Sequence, residues 1–392
     1  MIVRRASLTL ALLVTLGVAA CGDDHKPPPA AAPTAQAASA SPSAPPEPFT
    51  FEIGPAAGAK NLPITAEIDT RVTGGKVTSV TLTDDKGKAV AGELRADGSS
   101  WVPAQPLENN RTYNASVAAT AVNGTTETKT TSFTTMARPG GSRVGSGLYL
   151  FNGNTYGAAM PVVVEFESDI PESARAAVTR RLFVKTDPPQ LGRWHWFSPR
   201  MVLYRAEKYW QPGTTISVRT ALTGLPIGNR FGDTDRSATA KIADRTLVLD
   251  VDNATKQMQV IVNGQVVRTL PVSLGKPSTP SSSGQMVIME KAETTVFDTR
   301  ATDGPNGYRI NIEYAQRLTW GGEYVHSASW SVKDQGVRNV SHGCVNVAPD
   351  QALWLFQQTM VGDAVIVRNT ERVLQPGNGW TAWDVPWERY GV

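Results

Sequence analysis

From Phe49 to about Arg245 the chain is written in short Val, Ile and Thr-rich runs of alternating character, each closed by a turn signal. That rhythm admits little besides β-sheet. Val77-Thr78-Ser79-Val80-Thr81-Leu82 and Tyr113-Asn114-Ala115-Ser116-Val117-Ala118 carry the period of two expected of strands with one buried face. Asp84-Asp85-Lys86-Gly87 and Ala96-Asp97-Gly98 supply turns between such runs. Residues 48–137 therefore predict one β-sandwich and residues 138–245 a second. Thr214-Thr215-Ile216-Ser217-Val218 after Pro212-Gly213 faintly echoes Thr112 to Val117 after Asn109-Asn110, which reads as a duplication. Trp194, His195 and Trp196 are expected to be core at a strand end rather than a ligand cluster.

A third β-rich region, 246–370, opens on Leu247 to Val251 and carries an Asn263-Gly264 hairpin turn. Its convincing helix runs from Pro349 to about Met360, with Ala352, Leu353, Phe356 and Met360 at helical spacing and Gly362 beyond the end. The tail, 371–392, holds Trp380, Trp383 and Trp387, which are expected to pack against this third region or the second sandwich.

At the N-terminus, Arg4 and Arg5 precede an apolar run from Leu8 to Ala20, shaped like a signal-peptide core and short for a transmembrane helix. Val18-Ala19-Ala20-Cys21 resembles a bacterial lipobox, which implies cleavage before Cys21 and a lipid on its sulfur; the alternative is ordinary cleavage after Ala20. Residues 21–47, dominated by Pro, Ala and Ser, read as a semi-extended tether. The expected location is the outer face of the cell membrane, facing the periplasm or wall.

The composition, 41% hydrophobic and 19% charged with a formal net charge of +3, suits folded domains and lacks the clustered basic residues of a nucleic-acid binder. Of the 2 cysteines, the lipobox accounts for Cys21 and leaves Cys344 alone. An exported chain that keeps an unpaired thiol usually has a use for it.

Of the 4 histidines, His326 and His342 fall shortly before Cys344. A cysteine is mostly thiol at neutral pH, and imidazole has the right pKa to generate thiolate. Gly343 leaves room for a substrate carbonyl, and backbone N–H groups of the Ser341 to Cys344 turn are candidate oxyanion donors. His342 shares a face with Cys344 in an extended segment, whereas His326 must arrive from another strand. These residues alone leave the choice of base open.

His326 followed by Ser341-His342-Gly343-Cys344-Val345-Asn346 resembles the signature of the L,D-transpeptidase catalytic domain, often called the YkuD domain. Pro271 to Lys276 with Thr279-Pro280 and Gly284 is similar to the family's strand and substrate-side loop. The lipobox and two preceding Ig-like modules further resemble the mycobacterial and actinobacterial branch. The resemblance implies a mainly β fold: two Ig-like sandwiches, then a β-rich catalytic domain with one or two short helices.

It also implies roles. Cys344 would be the nucleophile and His326 the general base, oriented by Ser327. His342, Gly343 and Cys344 would form the oxyanion environment. Tyr308 would belong to the flexible lid, Gly322 and Trp330 to the walls of the substrate pocket, and Ser341 and Asn346 to the substrate contacts, with Asn346 bracing the loop or holding substrate. The implied reaction joins peptidoglycan stem peptides as 3→3 cross-links, with no cofactor, and carbapenem β-lactams would acylate Cys344. Hydrolysis as an L,D-carboxypeptidase, attachment of a protein to the wall, and a non-enzymatic wall-binding lipoprotein are the alternatives. A zinc site at His326, His342 and Cys344 lacks the further ligand motif that metal binding would need.

Overall fold

In the strand Thr112–Ala121, Tyr113, Ala115, Val117, Ala119 and Ala121 are buried while the residues between them face outward, so the alternation seen in the sequence is the alternation of the pleat. The computed structural model describes residues 47–300, 304 and 307–391. The signal segment, Cys21 and nearly all of the tether lie outside the described residues.

Each sandwich consists of two 4-stranded sheets. The first has the orders Thr50–Ile53, Ile68–Thr73, Ser100–Pro103, Gly92–Leu94 and Ala59–Leu62, Thr126–Thr135, Thr112–Ala121, Gly75–Asp84. The second has Ser146–Leu148, Val162–Phe166, Met201–Ala206, Gly192–Ser198 and Thr155–Tyr156, Arg236–Ile242, Thr215–Thr220, Leu182–Asp187. In both, one short early strand pairs parallel with the last long strand, Ala59–Leu62 with Thr126–Thr135 and Thr155–Tyr156 with Arg236–Ile242. The two sandwiches thus share one topology, and Thr112–Ala121 and Thr215–Thr220, whose sequences echo each other, occupy the same place in it. The second adds the helix Glu172–Arg180 and a small sheet built on Arg230–Gly232.

Buried charge joins the sandwiches. Glu67 accepts hydrogen bonds from Arg95 and, across the interface, from Arg181, each at 2.7 Å. Burial alone would raise the Glu67 pKa, but these guanidinium groups and the Ser100 hydroxyl outweigh it and hold the carboxyl at about 2.

The catalytic region is built from β1 (Leu247–Asp252), β2 (Gln257–Val262), β3 (Gln265–Pro271), β4 (Ser282–Val287), β5 (Glu290–Asp298), β6 (Arg309–Arg317), β7 (Tyr324–Ser327), β8 (Val345–Val347), α1 (Pro349–Gln358), β9 (Ala364–Arg368) and β10 (Arg372–Val373). They form a 6-stranded sheet, β3-β2-β1-β9-β4-β10, and a 4-stranded sheet, β5-β6-β7-β8. The β2–β3 turn places Asn263 at φ 50° and Gly264 at φ 80°, the left-handed pair that an Asn-Gly hairpin supplies cheaply.

Leu249, Met258, Leu274, Val325, Val345 and Leu355 share the core between the sheets. α1 ends at Gln358, earlier than expected, and buries Ala352 and Leu355, with the buried Thr359 capping its end, while Leu353 is exposed. The difference is one of phase: the helix lies over β6 and β7 along the 352–355–359 row, and an apolar Leu353 beside that row misled the reading of the face.

Packing continues from the second sandwich into this region. Gly157 N–H donates to the Val361 carbonyl at 2.8 Å and Ala159 N–H to that of Gly362 at 2.9 Å. A Cβ on Gly157 would lie 2.2 Å from the Asp363 nitrogen, so a glycine is required at this crossing. The tail completes the junction. Trp380 and Trp383 are buried in the second sandwich's core, Trp383 Nε1 donates to the Ala159 carbonyl at 2.7 Å, and Tyr390 Oη donates to that of Leu203 at 3.0 Å. His195 Nδ1 accepts the Gly391 N–H at 3.2 Å, while Trp194 and Trp196 pack against the same core.

Candidate active site

Two short strands make the site. β7 and β8 pair in parallel with Val325 opposite Val345 and His326 opposite Asn346. The valines enter the core, so the pleat turns Tyr324 and His326 to the other face, where Phe297 packs on both rings at 4.6 and 5.6 Å. Cys344 directly precedes Val345, so the parallel register carries it to the strand beside His326.

His326 is almost wholly buried, with Nδ1 2.7 Å from the Ser327 carbonyl oxygen. A carbonyl only accepts, so Nδ1 carries the proton and Nε2 keeps the lone pair of a base. Burial lowers the His326 pKa below its ordinary value and the bond to Ser327 opposes that only in part.

Cys344 is buried, and its Sγ donates to the Gly322 carbonyl at 3.6 Å. Burial pushes the thiol up to about 12; the Tyr324 backbone N–H opposes this and the charge of Glu323 adds to it. The resting pair is therefore a neutral thiol and a neutral imidazole.

The Ser341–Cys344 turn is held from both sides. Ser341 Oγ accepts the Gly343 N–H at 3.1 Å and donates to the Cys344 carbonyl at 2.6 Å. Ser281 Oγ donates to the Gly343 carbonyl at 2.7 Å, and the Gly275 N–H donates to Ser281 at 3.0 Å. Ser341 is expected among the substrate contacts, yet its hydroxyl is occupied inside the turn, where it fixes the loop's shape. Gly343 is expected to open space for a carbonyl; instead a Cβ there would meet Glu323 at ordinary contact distance, and the glycine is required by its φ of 127°. Its N–H is bonded to Ser341 Oγ inside the turn.

Asn346 is buried, donates from Nδ2 to Ser331 Oγ at 3.1 Å, and leaves Oδ1 without a hydrogen-bond partner among the described residues. It braces the short helical turn Ser329–Ser331 from within. That turn presents Trp330, 52% exposed, with its ring 6.0 Å from that of His326. Gly322, whose carbonyl accepts the Cys344 thiol, has a φ of 90°.

His342 is exposed, and its Nε2 lies 3.0 Å from Lys276 Nζ. An ammonium only donates, so in this contact the His342 lone pair faces a cation rather than a thiol. Tyr308, at the end of the β5–β6 connection, reaches the His342 ring at 5.4 Å.

Sequence reasoning passed over Glu323 and Ser281. Glu323 is a buried carboxylate behind the nucleophile turn, and a single acidic residue in an irregular loop has no periodicity to mark it. Ser281 sat inside a stretch that the resemblance covered only as a loop.

Residues 246–367 match the family of the L,D-transpeptidase catalytic domain, YkuD, and residues 59–226 match a bacterial Ig domain family, a span that crosses both sandwiches. L,D-transpeptidase 2 of Mycobacterium tuberculosis (strain CDC 1551 / Oshkosh) is 31% identical over 410 residues, covering 99% of this chain and 95% of that protein. The chain belongs to the L,D-transpeptidase family. L,D-transpeptidase 1 of Mycobacterium tuberculosis (strain ATCC 25618 / H37Rv) is 40% identical over 220 residues, 55% of this chain and 81% of that one. A solved L,D-transpeptidase in complex with imipenem is 34% identical, covers 58% of this chain and 100% of its own, and superposes with a TM-score of 0.49. As an L,D-transpeptidase the chain is an acyltransferase-type enzyme, which directs attention to its nucleophile.

Proposed function

We propose that this L,D-transpeptidase works through a thioester on Cys344, with His326 as the proton carrier, and that it makes 3→3 cross-links between peptidoglycan stem peptides. The observation that supports this most is the His326 tautomer: Nδ1 is tied to the Ser327 carbonyl, so Nε2 is a base on the strand next to the nucleophile. Cys344 Sγ attacks the L-centre carbonyl of the third residue of a tetrapeptide stem while Nε2 takes the thiol proton. The C–N bond to D-Ala breaks, His326 returns the proton to the departing amine, and the thioester remains. The side-chain amine of a third residue on another stem attacks the thioester, giving its proton to His326, which passes it to the departing sulfur and restores the thiol. The bond energy of the lost peptide is kept in the thioester, so no nucleotide is needed.

In this reading the Cys344 N–H assists the oxyanion, His342 and Gly343 shape the turn, and Tyr308, Gly322 and Trp330 line the substrate groove. A carbapenem is a strained acyl donor and would acylate the same sulfur. The lipobox supports a lipid on Cys21, with residues 21–47 tethering the enzyme to the outer face of the membrane. Incubation with a disaccharide-tetrapeptide followed by mass spectrometry tests the proposal. A 3→3 dimer with release of D-Ala is expected; a tripeptide alone would assign an L,D-carboxypeptidase, and no reaction would contradict the proposal.

A further inference from the structure

Behind the nucleophile turn lies a cluster that the reaction scheme does not use. Glu323 is 6% exposed and sits between Gly322, whose carbonyl accepts the Cys344 thiol, and Tyr324, whose backbone N–H lies against the same sulfur. Glu323 Oε1 accepts the Ser282 hydroxyl at 2.8 Å, Oε2 faces the Ser282 N–H at 3.4 Å, and Arg372 on β10 stands 3.8 Å from Oε1. A Cβ on Gly343 would lie 3.6 Å from the Glu323 Cγ. The carboxylate thus joins three pieces of the site: the 322–324 segment against the sulfur, the substrate-side loop at Ser281-Ser282, and the turn carrying Cys344.

We propose that Glu323 is a positioning residue for acyl transfer, one whose ionised carboxylate anchors the 322–324 segment and holds Cys344 as a thiol until His326 removes the proton. The proposal rests on Cys344 being the nucleophile. Burial raises the Glu323 pKa above its ordinary value, while the Ser282 hydroxyl and N–H and the Arg372 guanidinium oppose that rise and favour the ionised, acceptor-only form. Burial is the main reason Cys344 rests as a thiol; the Glu323 charge adds to it, and the half-exposed Arg372 moderates that charge. The other groups around the sulfur act differently: His326 and Tyr324 pack on Phe297, and Lys276 is held against His342 on the solvent side of the turn. A thiol kept protonated at rest reacts only when imidazole and substrate are both in place.

The test is the rate of iodoacetamide alkylation of Cys344 in the full-length protein between pH 6 and 10, followed on the Cys344 peptide, for wild type, Glu323→Gln, Arg372→Met and the double variant. Alkylation follows the thiolate fraction, so Glu323→Gln should raise the rate at pH 7.5 about tenfold, the effect of removing a nearby charge. Arg372→Met should slow it severalfold, and in the double variant the Arg372 effect should vanish because the charge it opposed is gone. Turnover of Glu323→Gln should fall even as alkylation rises, because the anchor at Ser282 is weakened. Unchanged alkylation in both single variants, with turnover or melting temperature reduced, would make Glu323 a structural residue only and overturn the proposal. Turnover in Cys344→Ala would instead defeat the underlying assignment of the nucleophile.

Discussion

His326 Nδ1 lies 2.7 Å from the carbonyl oxygen of Ser327, its own neighbour in the chain, so the tautomer of the imidazole is set by the strand that carries it. In many nucleophile–base pairs a third side chain does this work. Here the backbone does, and a substitution at Ser327 that preserves the strand keeps the orienting bond.

The pH profile follows from the two burial effects. His326 is held below its ordinary pKa and Cys344 well above its own, so the reactive state, neutral imidazole with thiol, spans a wide range. Acylation by a carbapenem should stay level up to pH 9 and lose rate only below the ordinary imidazole range, where His326 protonates. A rate that climbs tenfold per pH unit between 7 and 9 would identify free thiolate as the attacking species and contradict the neutral pair.

Glu67 supplies a second pH dependence, this one in stability. Its folded pKa, about 2, lies below the ordinary value of 4.5, so the stabilisation is present above pH 4.5 and is lost as the pH falls toward 2. With a discount for solvent around the half-exposed Arg180, the contribution is about 2 kcal/mol. Glu67→Gln should lower the melting temperature at pH 7 and remove most of the difference between wild type and variant by pH 3. An equal gap at both pH values would show that the carboxylate's charge is not what joins the sandwiches.

Deletion of residues 377–392 removes Trp380, Trp383 and Tyr390 from the second sandwich's core and leaves Arg205 without the carbonyls of Ala382 and Val385. Loss of buried aromatics on this scale should lower the melting temperature by at least about 5 °C before it changes substrate choice. A truncated protein that melts unchanged but no longer binds glycan strands would contradict a packing role.

The sequence made the strands legible because alternation reports which face is buried, and Thr112–Ala121 is read correctly on that ground. Pairing is another matter: nothing in the local pattern of Ala59–Leu62 says that it joins Thr126–Thr135 in parallel, and the shared topology of the sandwiches appeared in the sequence only as a faint echo. At the site, His326 and Cys344 stood out as chemically unusual residues close together. Glu323 did not, because its importance comes from Ser282 and Arg372, which the fold and not the local sequence brings to it. The left-handed φ of 127° at Gly343 was not legible either, because only the folded backbone shows it.

The account turns on which histidine moves the proton, and the rate of carbapenem acylation of Cys344 in His326→Ala and His342→Ala, each checked for folding, decides it most directly. Loss of a general base costs roughly 10²–10⁴-fold, so His326→Ala should acylate slower by at least that lower bound while its melting temperature stays near wild type. His342→Ala should lose less rate, because the contact it breaks is with Lys276 on the exposed side of the turn. Near-wild-type acylation in His326→Ala, together with a collapsed rate in a well-folded His342→Ala, would contradict the account and make His342 the base.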